Sequence, residues 1–414
     1  MSPMPAPTAA RRPRRPDPAT IHRIADDAQA LEVARHLAVD FAREAAARDR
    51  ERRLPWDELE RWSQSGLGGI TVPREHGGAG VSHATLAEVT VITCAADPAL
   101  GQIPQNHYAL LAVLRETGSA EQQRRFYAEV LAGLRLGNGG PERKASSGTV
   151  LASAPRLAAH ADGLRLDGHR YYSTGALFAH RIPTRAIDAE GRPVQAWVPF
   201  DAPGLTVIDD WDALGQRTTA SGSVVFDGVR VDPADVLPVW QLAQRPGITG
   251  PTSQLIQAAI DQGIAQAALD DAMAFVRERS RPWIDAGVER ASDDPYVIAG
   301  VGRLQIALHA AHEVLLEAAA TLDEIGPGPV SAEESARASV AVAHAKVLTT
   351  RIALDAAETL FELAGASATR AAHALDRHWR NARTHTLHDP VRWKTHLIGN
   401  HVLNAVLPAR HAWN

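Results

Sequence analysis

Residues 379–390 read Trp379-Arg-Asn-Ala-Arg-Thr-His-Thr-Leu-His-Asp-Pro390, and the rest of the chain can be understood outward from this stretch. It places two arginines, two histidines and an aspartate beside a proline, which cannot continue an incoming helix. Asp389 is a residue type that caps helix N-termini, so we expect a new helix to start at Pro390. His385 and His388 then lie on the connection between two helices or at its edge.

Two interpretations of this stretch remain open on spacing alone. Histidine exchanges protons near neutral pH, so the stretch is suited to a catalytic site. Alternatively, Asp389 only caps a helix, His388 is a satisfied polar group and the arginines face solvent. A histidine pair spaced like His385 and His388 can also bind metal, but with no cysteine nearby and a proline two residues on we expect no metal there.

Composition limits the class of protein. The 414 residues are enough for two or three domains, and 45% hydrophobic with 22% charged residues is ordinary for a globular protein. A net charge of -5 argues against nucleic acid as the main partner. Cys94 is the single cysteine, which excludes an internal disulfide framework and favours a cytoplasmic location. No apolar run is long enough to span a bilayer, and the Pro- and Arg-rich residues 1–20 predict a disordered tail.

Residues 21–135 predict an all-helical first domain. Helical spacing of apolar residues covers residues 21–48, 55–65, 82–96, 106–116 and 119–134. The glycine-dense segment 66–80 lacks the Lys-Ser/Thr ending of a phosphate-binding loop, so we interpret it as a tight connection that needs positive φ angles. His107 lies at a predicted helix start, where the helix dipole lowers a histidine pKa. Taken alone, His107 is interpreted as a capping or packing residue.

Residues 136–240 predict a small antiparallel β domain. Asp-Gly pairs at 162–163, 167–168 and 227–228 separate short alternating runs, which is typical of hairpins. Two segments here, 137–144 and 171–180, are unusually polar and glycine-rich. Backbone N–H groups near Asn138 could hold the polar edge of a planar cofactor, and Tyr172 offers a ring that could stack on it. The alternative is that Ser, Thr and Tyr are simply good strand residues.

Residues 241–414 predict an up-and-down bundle of four long helices. The helical pattern covers residues 252–277, 294–325, 333–363 and 391–406. Ser331 with Glu334 forms a capping-box pattern, and Gly365 is a plausible C-cap. Between the first two helices, the basic and aromatic turn at 279–283 either clamps a phosphate or is a solvated surface turn. Such long helices often pack against another subunit, so we expect an oligomer.

The order helical domain, β domain and helical bundle resembles the acyl-CoA dehydrogenase superfamily from residue 21 to the end. The segments that carry the resemblance are Val72-Pro-Arg-Glu-His-Gly-Gly-Ala-Gly80, Gly168-His-Arg-Tyr-Tyr-Ser-Thr174 and Arg380-Asn-Ala-Arg383. A finer match is to the flavin monooxygenase branch, of the dibenzothiophene and sulfone monooxygenase type linked to sulfur acquisition. Its carriers are Tyr172-Ser-Thr-Gly-Ala-Leu-Phe-Ala-His180 and the string from Asp376 to Pro390. The fold class implied is α+β and mostly α.

One departure from the parent family bears on the chemistry. Its dehydrogenases usually carry a catalytic glutamate followed by Gly-Thr just after the arginine run, whereas this chain has His388-Asp389-Pro390-Val391. Asp389 is one methylene shorter than glutamate. An FAD-dependent acyl-CoA dehydrogenase with Asp389 as base is therefore the alternative function, and a non-catalytic flavin-fold binding protein is a third hypothesis.

The resemblance implies a two-component monooxygenase that uses oxygen and reduced FMN, or FAD, supplied by a separate flavin reductase. A C4a-hydroperoxide of the flavin would oxygenate a small organosulfur or related substrate. The resemblance implies that His388 lies nearest the peroxide, that His107 and Ser173 line the same pocket, and that the protein is a homotetramer. His385 is left in a supporting position, since spacing alone does not decide which of the two histidines faces the flavin. The residues implied to hold the isoalloxazine ring are Asn138, Gly139, Tyr172, Ser173 and Thr174. Those implied to hold the phosphate end, from the same or a neighbouring subunit, are Arg281, Gly365 and Ala366.

Overall fold

The computed structural model describes residues 11–141, 154–161 and 163–414. The predictions that fall on residues 1–10, on 142–144 and on Asp162 lie outside this part of the chain. Within it the architecture is the one predicted, with helices, then a sheet, then helices. In the described ranges, no helix combines the length and the apolarity that crossing a membrane requires.

The first helical region packs around a shared apolar core. Phe41, Leu59, Leu67, Ile70 and Leu86 are all buried in one cluster that continues into the C-terminal helices. The region consists of α1 (Asp27–Ala42), α2 (Ala45–Glu51), α3 (Trp56–Gln64), α4 (His83–Ala96), α5 (Pro98–Gln102), α6 (Gln105–Thr117) and α7 (Ala120–Leu131). The short α5, which the sequence pattern did not predict, begins at a proline behind the capping side chain of Asp97.

The glycine-dense connection has the backbone conformation that its composition predicts. Gly66, Gly77 and Gly80 have φ angles of 80°, 85° and 55°, which L-residues rarely adopt. A Cβ on Gly66 would lie 2.2 Å from the carbonyl oxygen of His22. The segment is therefore a tight structural turn, and its glycines are required by conformation and by close packing.

The described part of the predicted tail makes specific contacts. Asp17 caps a 3-10 turn at Pro18–Thr20, and an Arg11 guanidinium nitrogen lies 2.8 Å from an Asp57 carboxylate oxygen. His180 Nε2 lies 2.8 Å from the carbonyl oxygen of Arg14, to which it donates. These contacts concern residues 11–20 alone, and the disorder of the tail stays a prediction.

The β region forms one seven-stranded sheet in the order β5-β6-β2-β1-β3-β4-β7. The expectation of a wholly antiparallel sheet is wrong in one place, because β1 and β3 pair in parallel. The cause is the chain path: β1 and β2 form a hairpin, and the chain then crosses β1 before it enters β3. The strands are β1 (Arg156–His160), β2 (Gly163–Arg170), β3 (Arg181–Ile187), β4 (Pro193–Pro199), β5 (Leu205–Ile208), β6 (Ser223–Val231) and β7 (Val236–Leu237).

Two of the Asp-Gly pairs that predicted hairpins lie inside strands instead. Asp167-Gly168 is in β2 and Asp227-Gly228 is in β6, at the point where the pairing of these two strands shifts register. The N–H of Gly228 donates to Asp167 Oδ1 over 2.6 Å. Gly228 has a φ angle of 57°. The pairs therefore build a β-bulge, which uses the same glycine conformation as a turn.

The C-terminal region has three long helices and two shorter ones. The long helix α10 packs against the other two long helices, α8 and α9. Ser331 and Glu334 form the predicted capping box of α10, and Gly365, with a φ angle of 79°, is its predicted C-cap. The helices are α8 (Thr249–Glu278), α9 (Pro295–Ile325), α10 (Ala332–Ala364), the shorter α11 (Asp376–His385) and α12 (Arg392–Asn404).

Helix α12 differs from the prediction at its start and in its burial. It begins at Arg392 with Val391 in the capping position, so the expected cap by Asp389 is wrong. The Asp389 carboxylate instead accepts a hydrogen bond from Gln254 Nε2 over 2.7 Å. Helix α12 packs on α10 and leaves Trp393, Val402 and Leu403 exposed.

The crossing of α4 and α8 gives a test of packing. A Cβ on Gly263 would lie 2.6 Å from the Cys94 Cβ and 2.7 Å from the Val91 carbonyl oxygen. We predict that Gly263→Ala lowers the free energy of unfolding by about 1–3 kcal/mol, because two buried helices must move apart. Chemical denaturation measures the change. Gly328→Ala, whose Cβ meets nothing within 4 Å, is the control, and equal stability of the two variants would contradict the prediction.

Candidate active site

The two polar, glycine-rich segments predicted around Asn138 and Tyr172 lie side by side. The Asn138 N–H donates to the Thr174 carbonyl oxygen over 3.2 Å, and the Gly140 N–H donates to Ser173 Oγ over 3.3 Å. A Cβ on Gly140 would lie 2.4 Å from the Tyr172 carbonyl oxygen. Glycine here lets two backbones meet closely, which brings together residues that are distant in sequence.

Tyr172 contributes an accessible aromatic ring to this junction. Its φ angle is 52°, and 47% of the residue is exposed although the neighbouring Ser173 and Thr174 are buried. The ring centroid lies 4.8 Å from that of Tyr171 and 6.0 Å from that of Trp211. Trp211 was not predicted, and the signal that could have found it is a lone tryptophan among aspartates in residues 209–212.

Hydroxyl and amide groups line the same junction. Ser173 Oγ accepts the Gly140 N–H, which leaves the hydroxyl hydrogen for another acceptor. Thr174 Oγ1 lies 2.8 Å from Ser221 Oγ, which in turn lies 2.8 Å from Thr219 Oγ1. The Asn138 side-chain amide makes no hydrogen bond to any residue that the structure describes. An aromatic surface beside a row of donors and acceptors suits a flat, polar-edged ring.

Gly139, which is predicted to bind the cofactor, contacts a neighbouring strand through its backbone. Its N–H donates to the Pro183 carbonyl oxygen over 3.0 Å, and a Cβ there would lie 2.0 Å from Thr184 Oγ1. The residue is therefore fixed by the neighbouring strand β3. Its contribution to a cofactor site would be to hold Asn138 and Gly140 in place.

His107 is buried and both of its ring nitrogens contact backbone. Nε2 lies 2.8 Å from the Gly68 carbonyl oxygen, to which it donates, and Nδ1 accepts the Leu136 N–H over 3.1 Å. Burial lowers the pKa of His107 to about 4. In this conformation the ring is neutral and has no nitrogen free for a ligand, so the geometry favours the packing interpretation.

The two histidines of the 379–390 stretch have different environments. His385 ends α11 and is buried, whereas 36% of the His388 side chain is exposed. His388 Nδ1 lies 3.4 Å from Asp389 Oδ1. Burial disfavours the Asp389 charge, but the contacts with His388 and Gln254 prevail and lower its pKa to about 2. A carboxylate is thus held ionised beside an accessible imidazole, which is an arrangement for acid–base chemistry.

A loop connects the aromatic junction to α11. The Gln216 N–H donates to Asn381 Oδ1 over 2.7 Å, and Trp211 Nε1 donates to the Gln216 carbonyl oxygen over 2.9 Å. A Cβ on Gly215 would lie 1.9 Å from the Arg380 carbonyl oxygen, so the loop and α11 touch backbone to backbone. No hydrogen bond or ring contact between described residues joins His388 directly to Tyr172 or Ser173.

Arg281, Gly365 and Ala366 come together, but far from His388. Ser280 Oγ donates to the Ala364 carbonyl oxygen over 2.9 Å, which joins the two segments. Arg281 is exposed and makes no ion pair or hydrogen bond within the described residues. Asp389 contacts α8 at Gln254, whereas Arg281 follows the end of α8 at Glu278. Along a helix this separation is about 36 Å, which is longer than an extended FMN molecule.

Two family models match the chain. Residues 25–134 match the acyl-CoA dehydrogenase N-terminal domain, and residues 255–393 match the acyl-CoA dehydrogenase C-terminal domain. The matches flank the sheet and include α8 to α11. They define the class of protein.

Named relatives refine the assignment. A dibenzothiophene monooxygenase of Rhodococcus erythropolis is 34% identical over 93% of this chain and 96% of its own length. A probable FMNH2-dependent monooxygenase, SfnC, of Pseudomonas putida is 32% identical over 92% of this chain and 96% of its own. The crystal structure of FMN-bound TdsC from Paenibacillus sp. A11-2 is 35% identical with a TM-score of 0.88, covering 93% of this chain and 100% of that one. The chain therefore belongs to the acyl-CoA dehydrogenase family, and within it to the branch of flavin-dependent monooxygenases.

The environment of His107 predicts a pH dependence of stability. The pKa of His107 is about 4 in the folded protein and has the ordinary value of 6.5 in the unfolded chain. Between pH 6.5 and pH 4 the unfolded chain therefore binds a proton on this histidine that the folded chain does not. Stability is therefore lost as pH falls from 6.5 towards 4, by about 2 kcal/mol at about pH 5. The free energy of unfolding can be measured by urea denaturation at about pH 7 and at about pH 5. We predict that His107→Gln removes this contribution of about 2 kcal/mol from the difference between the two values. The exposed His160→Gln is the control, and an unchanged pH dependence in His107→Gln would contradict the assignment.

Proposed function

We propose that the protein is a two-component monooxygenase that takes reduced FMN from a separate flavin reductase and oxygenates a small organosulfur compound. The observation that supports the proposal most strongly is the combination of side chains at the candidate active site. An accessible Tyr172 ring and a polar backbone edge lie on the sheet, and an accessible histidine beside an ionised aspartate replaces the glutamate of the dehydrogenases. The names of the relatives, which include a dibenzothiophene monooxygenase, support the organosulfur class.

The residues of the junction fit an isoalloxazine ring. Tyr172 offers a ring face, and the Asn138 side-chain amide and the Ser173 hydroxyl hydrogen can meet the polar edge of a flavin. Thr174 and Ser221 supply a second hydroxyl pair beside them. FMN is favoured over FAD because a relative was solved with FMN and another is named FMNH2-dependent.

Bound reduced FMN supplies electrons that activate oxygen for transfer of one atom to the substrate. The protein contributes a proton donor and acceptor at His388, whose Nδ1 faces the Asp389 carboxylate. Asp389 favours the Nδ1–H tautomer, which leaves Nε2 to accept or deliver a proton at the reacting centre. Gln254 holds Asp389 from behind and so fixes the His388 ring.

The alternative, an FAD-dependent acyl-CoA dehydrogenase, needs Asp389 to remove an α-proton. The carboxylate is buried and engaged by both Gln254 and His388. Its pKa of about 2 also makes it a weak base. These contacts favour a supporting role for Asp389, so we propose oxygenation and not desaturation.

We further propose a homotetramer that acts in cytoplasmic sulfur metabolism. Exposed apolar side chains cover three places that a neighbouring subunit could bury: Trp283 and Ile284 in the turn after α8, Tyr296 and Ile306 on α9, and Trp393 and Leu403 on α12. Arg281, which has no ion pair or hydrogen bond to any residue that the structure describes, lies in the first of these places. This position supports a phosphate site completed by Arg281, Gly365 and Ala366 of a neighbouring subunit.

The first experiment tests the chemistry. Purified protein, a flavin reductase, NADH and FMN are incubated with dibenzothiophene or a small sulfone, and oxygenated product is measured by mass spectrometry. We predict that wild type forms product and that His388→Ala loses about 10²- to 10⁴-fold in rate while binding FMN with unchanged affinity, because only proton transfer is removed. His160→Ala is the exposed control. Reduction of the FAD-loaded protein by acyl-CoA, without product, would establish the dehydrogenase alternative.

The shared phosphate site is tested by mixing subunits. Arg281→Ala should weaken FMN binding about 10- to 100-fold, because charged hydrogen bonds to phosphate are lost. Co-expression of Arg281→Ala and His388→Ala chains then re-forms one intact site in each mixed pair, and we predict about a quarter of wild-type activity from equal mixing. Activity no greater than that of the two single variants would place Arg281 and His388 of one chain in the same site.

A further inference from the structure

Behind the exposed His388 lies a fully buried ionic cluster that the proposed chemistry does not yet use. Asp261 on α8 is its centre: Oδ2 lies 2.8 Å from Lys346 Nζ and accepts from Thr350 Oγ1 over 2.9 Å. Its other oxygen, Oδ1, lies 2.5 Å from His385 Nδ1. The four side chains come from three helices, α8, α10 and α11, and all are buried.

Such a cluster is a poor device for stability alone. A buried ion pair often contributes no more than well-packed apolar residues of the same size, because desolvation of the charges offsets their attraction. Ile260, Ile264 and Ala353 are buried nearby along the same helices, and none of them carries a charge that could compensate the cluster. A role in the chemistry of the site accounts for charges in this position better than packing does.

The geometry defines the state of the His385 ring. Burial lowers the pKa of His385 and outweighs the opposing charge of Asp261, so the ring is neutral. The ionised Asp261 accepts the Nδ1 hydrogen, which leaves Nε2 as an unprotonated acceptor. That nitrogen is buried without a hydrogen-bond partner in the described part of the chain.

His388 is the neighbouring ring that could use this acceptor. The centroids of His385 and His388 are 6.3 Å apart, and the rings are tilted by 37°. A single water molecule with hydrogen bonds to both rings can span such a gap. The charged groups around the pair are Asp261, Lys346, Asp389 and Lys394, together with His411 of the C-terminal segment.

We propose that His385, positioned by Asp261 and Lys346, is the proton reservoir for His388. The inference rests on the proposed function. It adds a positioning role for Asp261 and Lys346, which the sequence pattern did not single out. His388 touches the reacting atoms, whereas His385 and Asp261 act through it.

The step is a proton transfer without oxidation or reduction. When His388 Nε2 has taken a proton from the reacting centre, the Nε2–H bond breaks as that proton passes to the bridging water, while the Nδ1–H stays directed at Asp389. One O–H bond of the water breaks in turn, and an N–H bond forms at His385 Nε2. His385 becomes a transient imidazolium paired with the Asp261 carboxylate, and because burial disfavours its charge the proton is readily returned. The transfer runs in reverse when His388 must deliver a proton.

The chain contains a matched control for this cluster. Asp271, ten residues further along α8, forms an equivalent pair with His378 of α11, with 2.7 Å between Asp271 Oδ2 and His378 Nε2. His378 also has a buried ring nitrogen without a described partner. Arg377 joins Asp271 there, and no second histidine is in ring contact with His378 among the described residues. A structural role of the His–Asp hydrogen bond itself should therefore appear at both sites, whereas the Asp261 site adds full burial and Lys346, and the Asp271 carboxylate is partly exposed.

The first arm measures the ring state without flavin or substrate. Histidine-selective ¹⁵N labelling of the flavin-free protein, with assignment by the loss of signals in His385→Asn, identifies the two ring nitrogens of His385. We expect an N–H nitrogen at Nδ1, with a strongly downfield proton, and an unprotonated nitrogen at Nε2 near pH 7. A proton on Nε2 or a doubly protonated ring would overturn the proposal.

The second arm separates position from chemistry. His385→Asn keeps an N–H donor for Asp261 but lacks the second nitrogen, so its thermal stability should stay near that of wild type. We expect it to lower product formation per reduced FMN at least about tenfold, and Asp261→Asn to do the same. Asp271→Asn should lower stability without changing product yield. Wild-type yield in His385→Asn, or equal loss in Asp271→Asn, would overturn the relay.

The two proposals fail in distinguishable ways. If wild type forms no oxygenated product from any organosulfur compound, the proposed function is wrong and the relay falls with it, although the ring state of His385 is still decided by the first arm. If wild type oxygenates and His385→Asn does so equally well, the proposed function stands and only the relay is wrong. Should His385→Asn fail to fold, His385→Gln, which also keeps an N–H donor and leaves the Lys346–Asp261 pair intact, and the wild-type ring spectrum decide the question.

Discussion

The ion pair between Lys346 and Asp261 is the interaction on which the C-terminal half depends. Both groups are fully buried, and the 2.8 Å contact joins α8 to α10 while His385 attaches α11 to the same carboxylate. Loss of one partner would leave an uncompensated charge in the core, which typically costs about 3–5 kcal/mol. The pair therefore fixes the relative position of three helices, and with it the place where His388 leaves the bundle.

A second buried ionic cluster fixes the relative positions of helices in the N-terminal half. Arg48 contacts Glu58 over 3.1 Å and Asp97 over 2.9 Å, which links α2, α3 and the start of α5. From α2, Asp49 forms an ion pair with Arg380 on α11. Arg380 of the 379–390 stretch therefore has a structural role that its position in the sequence did not reveal. The two halves of the chain meet on α11, beside the loop that carries Trp211.

Local pattern was enough to predict most helices but not the details of the sheet. Helical periodicity located α8, α9 and α10 within a few residues, because long amphipathic segments with clear caps leave few alternatives. The Asp-Gly pairs at 167–168 and 227–228 did not mark hairpin turns. A bulge needs the same glycine conformation as a turn, and pairing with a distant strand decides which of the two forms. Asp389 failed as a cap because Gln254, 135 residues earlier, offers a partner that sequence proximity cannot indicate.

The candidate site was predictable only where resemblance or composition pointed to it. Asn138 lies beside Tyr172, Ser173 and Thr174, and the flavin-binding role that the resemblance implies for these residues stays a prediction. Trp211, Thr219 and Ser221 come from a loop without a recognisable motif. Arg281, Gly365 and Ala366 come together with one another and not with His388, because the length of α8 separates them. That separation arises from the tertiary structure and cannot be seen in the sequence spacing.

Polar residues on α8 indicate how function can be recognised in such a helix. Gln254, Gln257 and Asp261 are spaced to lie on one face, and from sequence this face is indistinguishable from a solvated stripe. The structure buries all three, and Gln254 and Asp261 hold Asp389 and His385 respectively. A core helix that places polar groups inward bears a desolvation cost which apolar residues would avoid. Positioning a reactive side chain is a role that can offset this cost, and on α8 two of the three polar side chains contact residues on either side of His388.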